Sequence, residues 1–237
     1  MENASYTTLT RQSGLMREMS VIANNIANAN TTGYRQEGLV FSEVVQSIDD
    51  APSLSMATAR ARVTSLMPGT MTQTGGPLDM AIDGQGFFLI QTSEGERLSR
   101  AGHFMPNSQG DLVTVDGHRV LDSGGAPLFI PRGTGNISIA PDGTISANGQ
   151  LLGQVGIVKP SEGTQILRDD GVHFRADGPY EPNLDARVRQ GYLERSNVDP
   201  LTQIARMIEV QRAYEMGQSF AESENERIRK AMQTIIK

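Results

Sequence analysis

Ser196-Asn197-Val198-Asp199-Pro200 opens a stretch in which Met207, Tyr214, Ala221, Ile228 and Ile235 recur every seven residues. Short polar side chains ahead of a proline are the start signal of a helix. A sustained seven-residue apolar repeat is the seam of a helix that packs on another helix. The companion positions read Ile204, Gln211, Gln218, Asn225 and Met232. Amides in a seam cost stability but can specify register and partner. A helix of about 35 residues is roughly 50 Å long, and this one carries too little apolar surface to stand alone.

The N-terminal end supplies the natural partner. From Tyr6 to Asn30 one frame holds Leu9, Met16, Ala23 and Asn30, and the other holds Gln12, Met19 and Ile26, with Val21 and Ile22 widening the stripe. Asn24, Asn25, Asn28 and Asn30 weaken this helix, because each side chain competes for backbone hydrogen bonds. Their density predicts that neighbouring chains satisfy the amides. The helix is expected to end near Thr32-Gly33, with Gly33 as a left-handed cap.

Between the helices the punctuation changes. Of 25 glycines, 22 fall in residues 36–191, and ten of the 11 prolines fall there too. Short apolar runs such as Leu78 to Ile82, Phe87 to Gln91, Leu112 to Val115 and Ile137 to Ile139 alternate with Asp-Gly turns at 83–84, 116–117, 142–143 and 177–178. That is the signature of antiparallel hairpins. The fold class expected is α+β: an all-β central domain, barrel or sandwich, with long terminal helices packed together as a coiled coil. The boundaries drawn are 1–35 for the N-terminal helix, 36–77 for an extended connector and 78–175 for the β domain. A second connector follows at 176–191, and 192–237 form the C-terminal helix.

Composition excludes more than it assigns. The 237 residues carry 21 Lys and Arg against 27 Asp and Glu, a net charge of −6 concentrated in the middle. An acidic chain is a poor match for nucleic-acid phosphates. With no cysteine, disulfides, thiolate metal sites and cysteine nucleophiles are absent together. No apolar run approaches the roughly 20 residues that cross a bilayer. The first residues lack the cationic start and apolar core of a secretory signal.

Chemistry-bearing motifs are equally sparse. Gly84-Gln85-Gly86 reads as a turn, because Leu89 stands where a dinucleotide fingerprint needs its third glycine. His103, His118 and His173 show no paired ligand spacing, and Asp49-Asp50 and Asp169-Asp170 read as solvated turn carboxylates. No two acids suggest the paired carboxylates of a glycan hydrolase. No catalytic residue, cofactor site or metal site is expected.

Three segments in order carry a resemblance to a known family. Ala23-Asn24-Asn25-Ile26-Ala27-Asn28-Ala29-Asn30-Thr31-Thr32-Gly33-Tyr34-Arg35 resembles the N-terminal signature of bacterial flagellar rod and hook proteins. Pro77-Leu78-Asp79-Met80-Ala81-Ile82-Asp83-Gly84-Gln85-Gly86-Phe87-Phe88, continued by Arg100-Ala101-Gly102-His103-Phe104 and Gly110-Asp111-Leu112-Val113, is similar to the family's central motif. Ser196-Asn197-Val198-Asp199, Met207-Ile208-Glu209 and Gln211-Arg212-Ala213-Tyr214-Glu215 resemble its C-terminal signature. Within the family, Tyr6-Thr7-Thr8-Leu9 and Leu167 to Arg175 look more like proximal-rod members than distal-rod members.

The resemblance implies a non-enzymatic structural subunit of the basal-body rod, crossing the periplasm and transmitting motor torque to the hook. Its terminal helices would line an inner tube, with the β domain outside. The partners implied are copies of itself, other rod subunits and the flagellar export apparatus, and neither nucleic acid nor a small-molecule substrate. The contacts assigned to assembly are Leu9, Met16, Met19, Ile22, Asn24, Asn25, Ile26 and Asn28 on the first helix. On the second they are Ile204, Met207, Gln211, Tyr214, Ile228 and Ile235. A rod-associated peptidoglycan hydrolase and a coiled-coil adaptor are the rival classes.

Overall fold

The computed structural model describes the backbone of residues 2–48, 51–131 and 133–235, and the side chains of 8–40, 62–131 and 133–233. The Asp49-Asp50 reading lies outside the described residues. The chain divides into a helix unit (Met1–Ala27, Glu37–Ser65 and Asp199–Lys237) and a β unit (Asn28–Gln36 and Leu66–Val198).

In the helix unit, α1 (Glu2–Ala27) packs against α2 (Pro200–Ile235). Glu18 meets Arg206, and Gln12 lies beside Gly217. Ascending one helix therefore descends the other, and the pair is antiparallel. Asp199 caps α2: its carboxylate accepts from the Leu201 N–H (3.0 Å) and the Thr202 hydroxyl (2.6 Å). Pro200 follows at the first helical position, where its missing N–H is no loss.

α1 ends at Ala27, earlier than the sequence predicts. Asn28 to Thr31 form a turn instead, with the Thr31 N–H donating to the Asn28 carbonyl (3.1 Å) and the Thr31 hydroxyl to the Asn28 side chain (3.1 Å). Gly33 is left-handed at φ +71 but does not cap the helix. It lies where a Cβ would come within 2.3 Å of the Ala101 nitrogen, so close backbone approach demands the glycine.

The extended connector expected over 36–77 is extended, but folded back on itself: β1 (Glu37–Ile48) pairs antiparallel with β2 (Ala51–Thr64), from Glu37 opposite Thr64 to Ile48 opposite Ala51. This Ser/Ala/Thr-rich stretch lacks the two-residue alternation by which a strand betrays itself.

The β unit's strands run β3 (Met71–Gln73), β4 (Met80–Asp83), β5 (Phe87–Thr92), β6 (Gly95–Ser99), β7 (Phe104–Pro106), β8 (Leu112–Thr114) and β9 (Arg119–Val120). They continue as β10 (Ile137–Ile139), β11 (Thr144–Ala147), β12 (Gln150–Gln154), β13 (Ile157–Pro160), β14 (Ile166–Asp170) and β15 (His173–Ala176). The last three are β16 (Tyr180–Pro182), β17 (Arg187–Gln190) and β18 (Tyr192–Glu194). The largest sheet orders β14-β15-β6-β5-β9-β8-β7, with β13 joining β5 and β16. Smaller sheets pair β10-β11-β12, β17-β4 and β18-β3. All these pairings are antiparallel. The segment 176–191, expected as a second connector, thus contributes two strands. Val188 of β17 is buried opposite Ile82, while Pro179 and Pro182 give the segment its loop-like look in sequence.

β5 explains the core. Phe87 to Ile90 are all buried, because alternate side chains enter different clusters. Phe88 joins Met80, Ile82, Phe104 and Leu112, whereas Phe87 and Leu89 join Leu98, Leu121 and Phe174. Each fully buried large side chain is worth about 1.5–3 kcal/mol, so this one strand anchors the unit.

Candidate functional site

Two arrangements hold the residues that matter, one in each unit. In the β unit, Arg35, Arg100 and Glu194 form a buried charge cluster, with side chains 1%, 3% and 1% exposed. Arg35 approaches one carboxylate oxygen of Glu194 at 2.8 Å and Arg100 the other at 3.3 Å. The Gly69 N–H donates to the same carboxylate at 2.9 Å. Arg100 also donates to the carbonyls of Ile82 (3.1 Å) and Gly84 (2.6 Å). Burial pulls the Arg100 guanidinium down to about 10, with Glu194 opposing the shift and Arg35 adding to it. Burial likewise lowers Arg35, again against Glu194.

The cluster is bound to its surroundings through backbone. The Gly33 N–H donates to the Glu194 carbonyl (2.8 Å), and Arg35 donates to the Met67 carbonyl. Arg168 lies over the rings of Tyr34 (4.4 Å) and Phe174 (4.8 Å) and donates to the Arg35 carbonyl. Asn197 accepts from the Gln36 N–H (2.6 Å) and donates to the Met67 carbonyl (2.8 Å). Asn197 thus ties residues next to three of the points where the chain leaves this unit. A buried carboxylate held between two guanidiniums offers no nucleophile and no free proton. What it can do is fix distant segments in one register.

In the helix unit the corresponding knot is Asn25. Its amide clasps the backbone of Glu37 twice, donating to the carbonyl (2.8 Å) and accepting from the N–H (3.0 Å), and it donates to Gln203 (3.2 Å). Of the asparagines expected to be satisfied by neighbouring chains, Asn25 is satisfied by its own. Asn28 closes the turn after α1, and Asn30 accepts from Arg195 at 3.1 Å within the β unit. Asn24 is exposed.

The apolar positions divide. Ile22 is buried, and Met19, Ile26, Met207, Tyr214 and Ile228 are half-buried along the pair. Leu9 and Met16 are 61% and 55% exposed, and Ile204 and Gln211 face outward as well. Ile235 lies on α2, but its side chain is outside the described residues. The column that accompanies Met207 and Tyr214 is Gln203, Val210 and Gly217, one residue earlier than Ile204, Gln211 and Gln218. Apolar identity favours Ile204, but the buried place goes to Gln203 because its amide meets Asn25.

Sequence reasoning misses Arg35, Arg100, Glu194, Asn197 and Arg168 as a group. Each pairing spans dozens of residues, and the local hint is limited to arginines set near glycines, Gly33-Tyr34-Arg35 and Arg100-Ala101-Gly102. The fold also places the rings of His118 and His173 at 5.3 Å, with His173 2.7 Å from Asp170 and His103 2.5 Å from Asp79. Among the described residues no three His, Asp or Glu gather as a metal site, and no helix is long and apolar enough to cross a membrane.

Three family descriptions match the chain. Residues 6–35 match "Flagella basal body rod protein", 81–147 match "Flagellar hook protein FlgE/F/G D1 domain", and 189–234 match "Flagellar basal body rod FlgEFG protein C-terminal". The buried cluster takes one residue from each: Arg35, Arg100 and Glu194. The chain is 37% identical to the flagellar basal-body rod protein FlgF of Caulobacter vibrioides, over 99% of this chain and 98% of that one. The chain belongs to the flagellar basal-body rod protein family. This rod subunit is also 31% identical to FlgF of Escherichia coli, over 99% of both chains, and 30% identical to FlgG of Bacillus subtilis, over 95% and 96%. It is FlgF-like, a proximal-rod type of subunit, structural and not enzymatic, and its place is the basal-body rod.

Proposed function

We propose that the rod subunit polymerises through its helix unit, with copies of itself and with other rod subunits, into a helical axial assembly that carries motor torque to the hook. The observation that supports this is the apolar surface left on α1 and α2: Leu9, Met16, Leu201, Ile204, Ile208, Met216, Phe220 and Met232 all face outward. A helix pair that leaves this much apolar surface in water is finished by other subunits. Delivery through the flagellar export apparatus is part of the same reading. The buried cluster Arg35–Glu194–Arg100 acts in support, holding the segments that carry load through the β unit in one geometry.

Met16→Glu tests the assembly. The purified chain should keep its far-ultraviolet circular dichroism, because the side chain is exposed, while cells carrying it lose swimming and yield basal bodies without complete rods. Normal motility and complete rods with Met16→Glu and Leu9→Glu combined would remove these helices from the interface.

A further inference from the structure

The three histidines are scattered in sequence, and the fold brings two of them together. His173 opens β15 and is buried, while His118 stands just ahead of β9 and is half-buried. Their rings lie 5.3 Å apart, centroid to centroid, with their planes at 76°. In the large sheet β6 and β5 separate β15 from β9, so no backbone pairing requires the two side chains to meet.

The inner ring is also oriented. His173 Nδ1 lies 2.7 Å from Asp170 Oδ1. An ionised carboxylate only accepts, so the neutral ring carries its proton on Nδ1 and leaves its lone pair on Nε2. A carboxylate on the far nitrogen is the support that metal-binding imidazoles characteristically have, and it raises their basicity. The His118 ring makes no hydrogen bond among the described residues, and the last torsion of a histidine is broad, so this ring can turn a nitrogen toward its neighbour. Two imidazoles bonded to one ion at about 2.0–2.1 Å hold their centroids about 5 Å apart when the angle at the ion is near tetrahedral. The observed separation already matches.

His118 also lines a polar cleft of about 370 Å³ with Gln91, Thr92, Ser93, Asn107 and Arg119. The Arg119 charge is met by Asp111 at 3.0 Å, so the cleft is not closed to a cation. No third His, Asp or Glu joins the pair among the described residues.

We propose that His118 and His173 form a two-imidazole site for a divalent transition ion of the zinc or copper(II) kind, with Asp170 holding His173. Imidazole suits these ions, and water from the cleft completes the coordination. The bound ion staples the turn ahead of β9 to the start of β15. Because the unfolded chain holds no such pair, binding stabilises the β unit. His103 is the internal control: its Nδ1 likewise faces a carboxylate, Asp79 at 2.5 Å, but its ring meets no second imidazole among the described residues.

The test titrates the untagged full chain, stripped with a chelator, with zinc chloride in a calorimeter. One ion per chain should bind, and His118→Ala or His173→Ala should abolish the binding. Asp170→Asn should weaken it about 10–100-fold, and His103→Ala should leave it unchanged. His173 is buried, so its replacement can disturb folding; His118→Gln, at a half-exposed position, should keep the circular dichroism of the native chain and still lose the ion. Electron paramagnetic resonance of the copper(II) form should show two imidazole nitrogens on the ion, a signal absent from His118→Gln. Zinc should raise the thermal midpoint of the native chain and leave that of His118→Gln where it is. No binding at millimolar zinc, or binding that survives His118→Gln, reduces the pair to ring packing and overturns the proposal. Binding lost with His103→Ala places the ion elsewhere and overturns it equally.

Discussion

The β unit and the helix unit of this chain bury their apolar residues to different degrees, and the difference shows how each is held together. In the β unit, Met80, Phe88, Leu89 and Phe174 are essentially inaccessible, and even its charged knot is closed off from water. In the helix unit, Leu9, Met16, Leu201 and Ile208 remain outside although the two helices already meet. The β unit encloses two apolar clusters of its own, whereas the helix unit is proposed above to complete its packing against other subunits. The contrast predicts that changes at comparable polar knots will register differently: as lost stability in the β unit, and as lost local order in the helix unit.

Glu194→Ala is the strongest way to break the comparison. It leaves two buried guanidiniums facing each other without a counter-charge, and removing one partner from such a site costs about 3–5 kcal/mol. Urea unfolding of the full chain should show that loss as a lower midpoint for the β unit. Exchanging the cluster for apolar residues of similar volume should restore much of it, since buried ion pairs gain little over good packing. A Glu194→Ala protein with an unchanged midpoint would mean that water reaches the cluster.

Asn25→Ala is the counterpart in the helix unit, with a smaller expected cost. It removes the bonds that Asn25 makes with the Glu37 N–H and carbonyl and with Gln203. Leaving buried polar groups unpaired costs about 1–3 kcal/mol. Hydrogen exchange should speed up in β1 and at the start of α2, while amides of β5 and β6 keep their protection. Equal acceleration in both units would show that they open as one.

How much of this is legible in sequence follows from range. The two helices, the turn-rich centre and the family signatures are local patterns, and they read through. Phe87 to Ile90 announces itself as the longest apolar run, though only the fold shows that its alternate side chains serve two clusters. The companion column of the α2 seam falls one residue away from its expected place because an amide buried against another amide, Gln203 on Asn25, looks like a surface residue in one dimension. Arg35, Arg100 and Glu194 are invisible as a group for a plainer reason. Each is an ordinary charged residue until a turn at Gly33 and the pairing of β18 with β3 bring them together. The hairpin of residues 37–64 goes unread because pairing with itself leaves no signature in a stretch without alternating apolar residues.

The smallest effect sharpens the comparison furthest, because the same chemistry occurs once in each unit. Hydrogen bonds lower the carboxyl of Asp199, chiefly from the Thr202 hydroxyl and then the Leu201 N–H. Bonds from Thr144, backbone first and then side chain, lower that of Asp142 in the turn before β11. A depressed carboxyl in the folded state contributes stability above its unfolded value, here 3.8, and loses it as pH falls through the lower folded value. The acid limb should therefore lie below pH 3.8 for both groups, but its consequences should differ. Asp142 sits in a turn whose neighbour Ile145 is locked into the β core, so its protonation should leave the β11–β12 amides protected. Asp199 caps a helix with much of its apolar surface unsupported, so its protonation should fray the first turn of α2. Amide exchange of residues 201–203, taken relative to the intrinsic rate at each pH and followed from about pH 5 to about pH 2, should rise in the native chain. In Asp199→Asn it should stay flat, since the amide still caps without titrating. In Asp199→Ala it should be fast throughout. Flat exchange in the native chain would mean that α2 is held by α1 along its whole length and that its cap adds nothing.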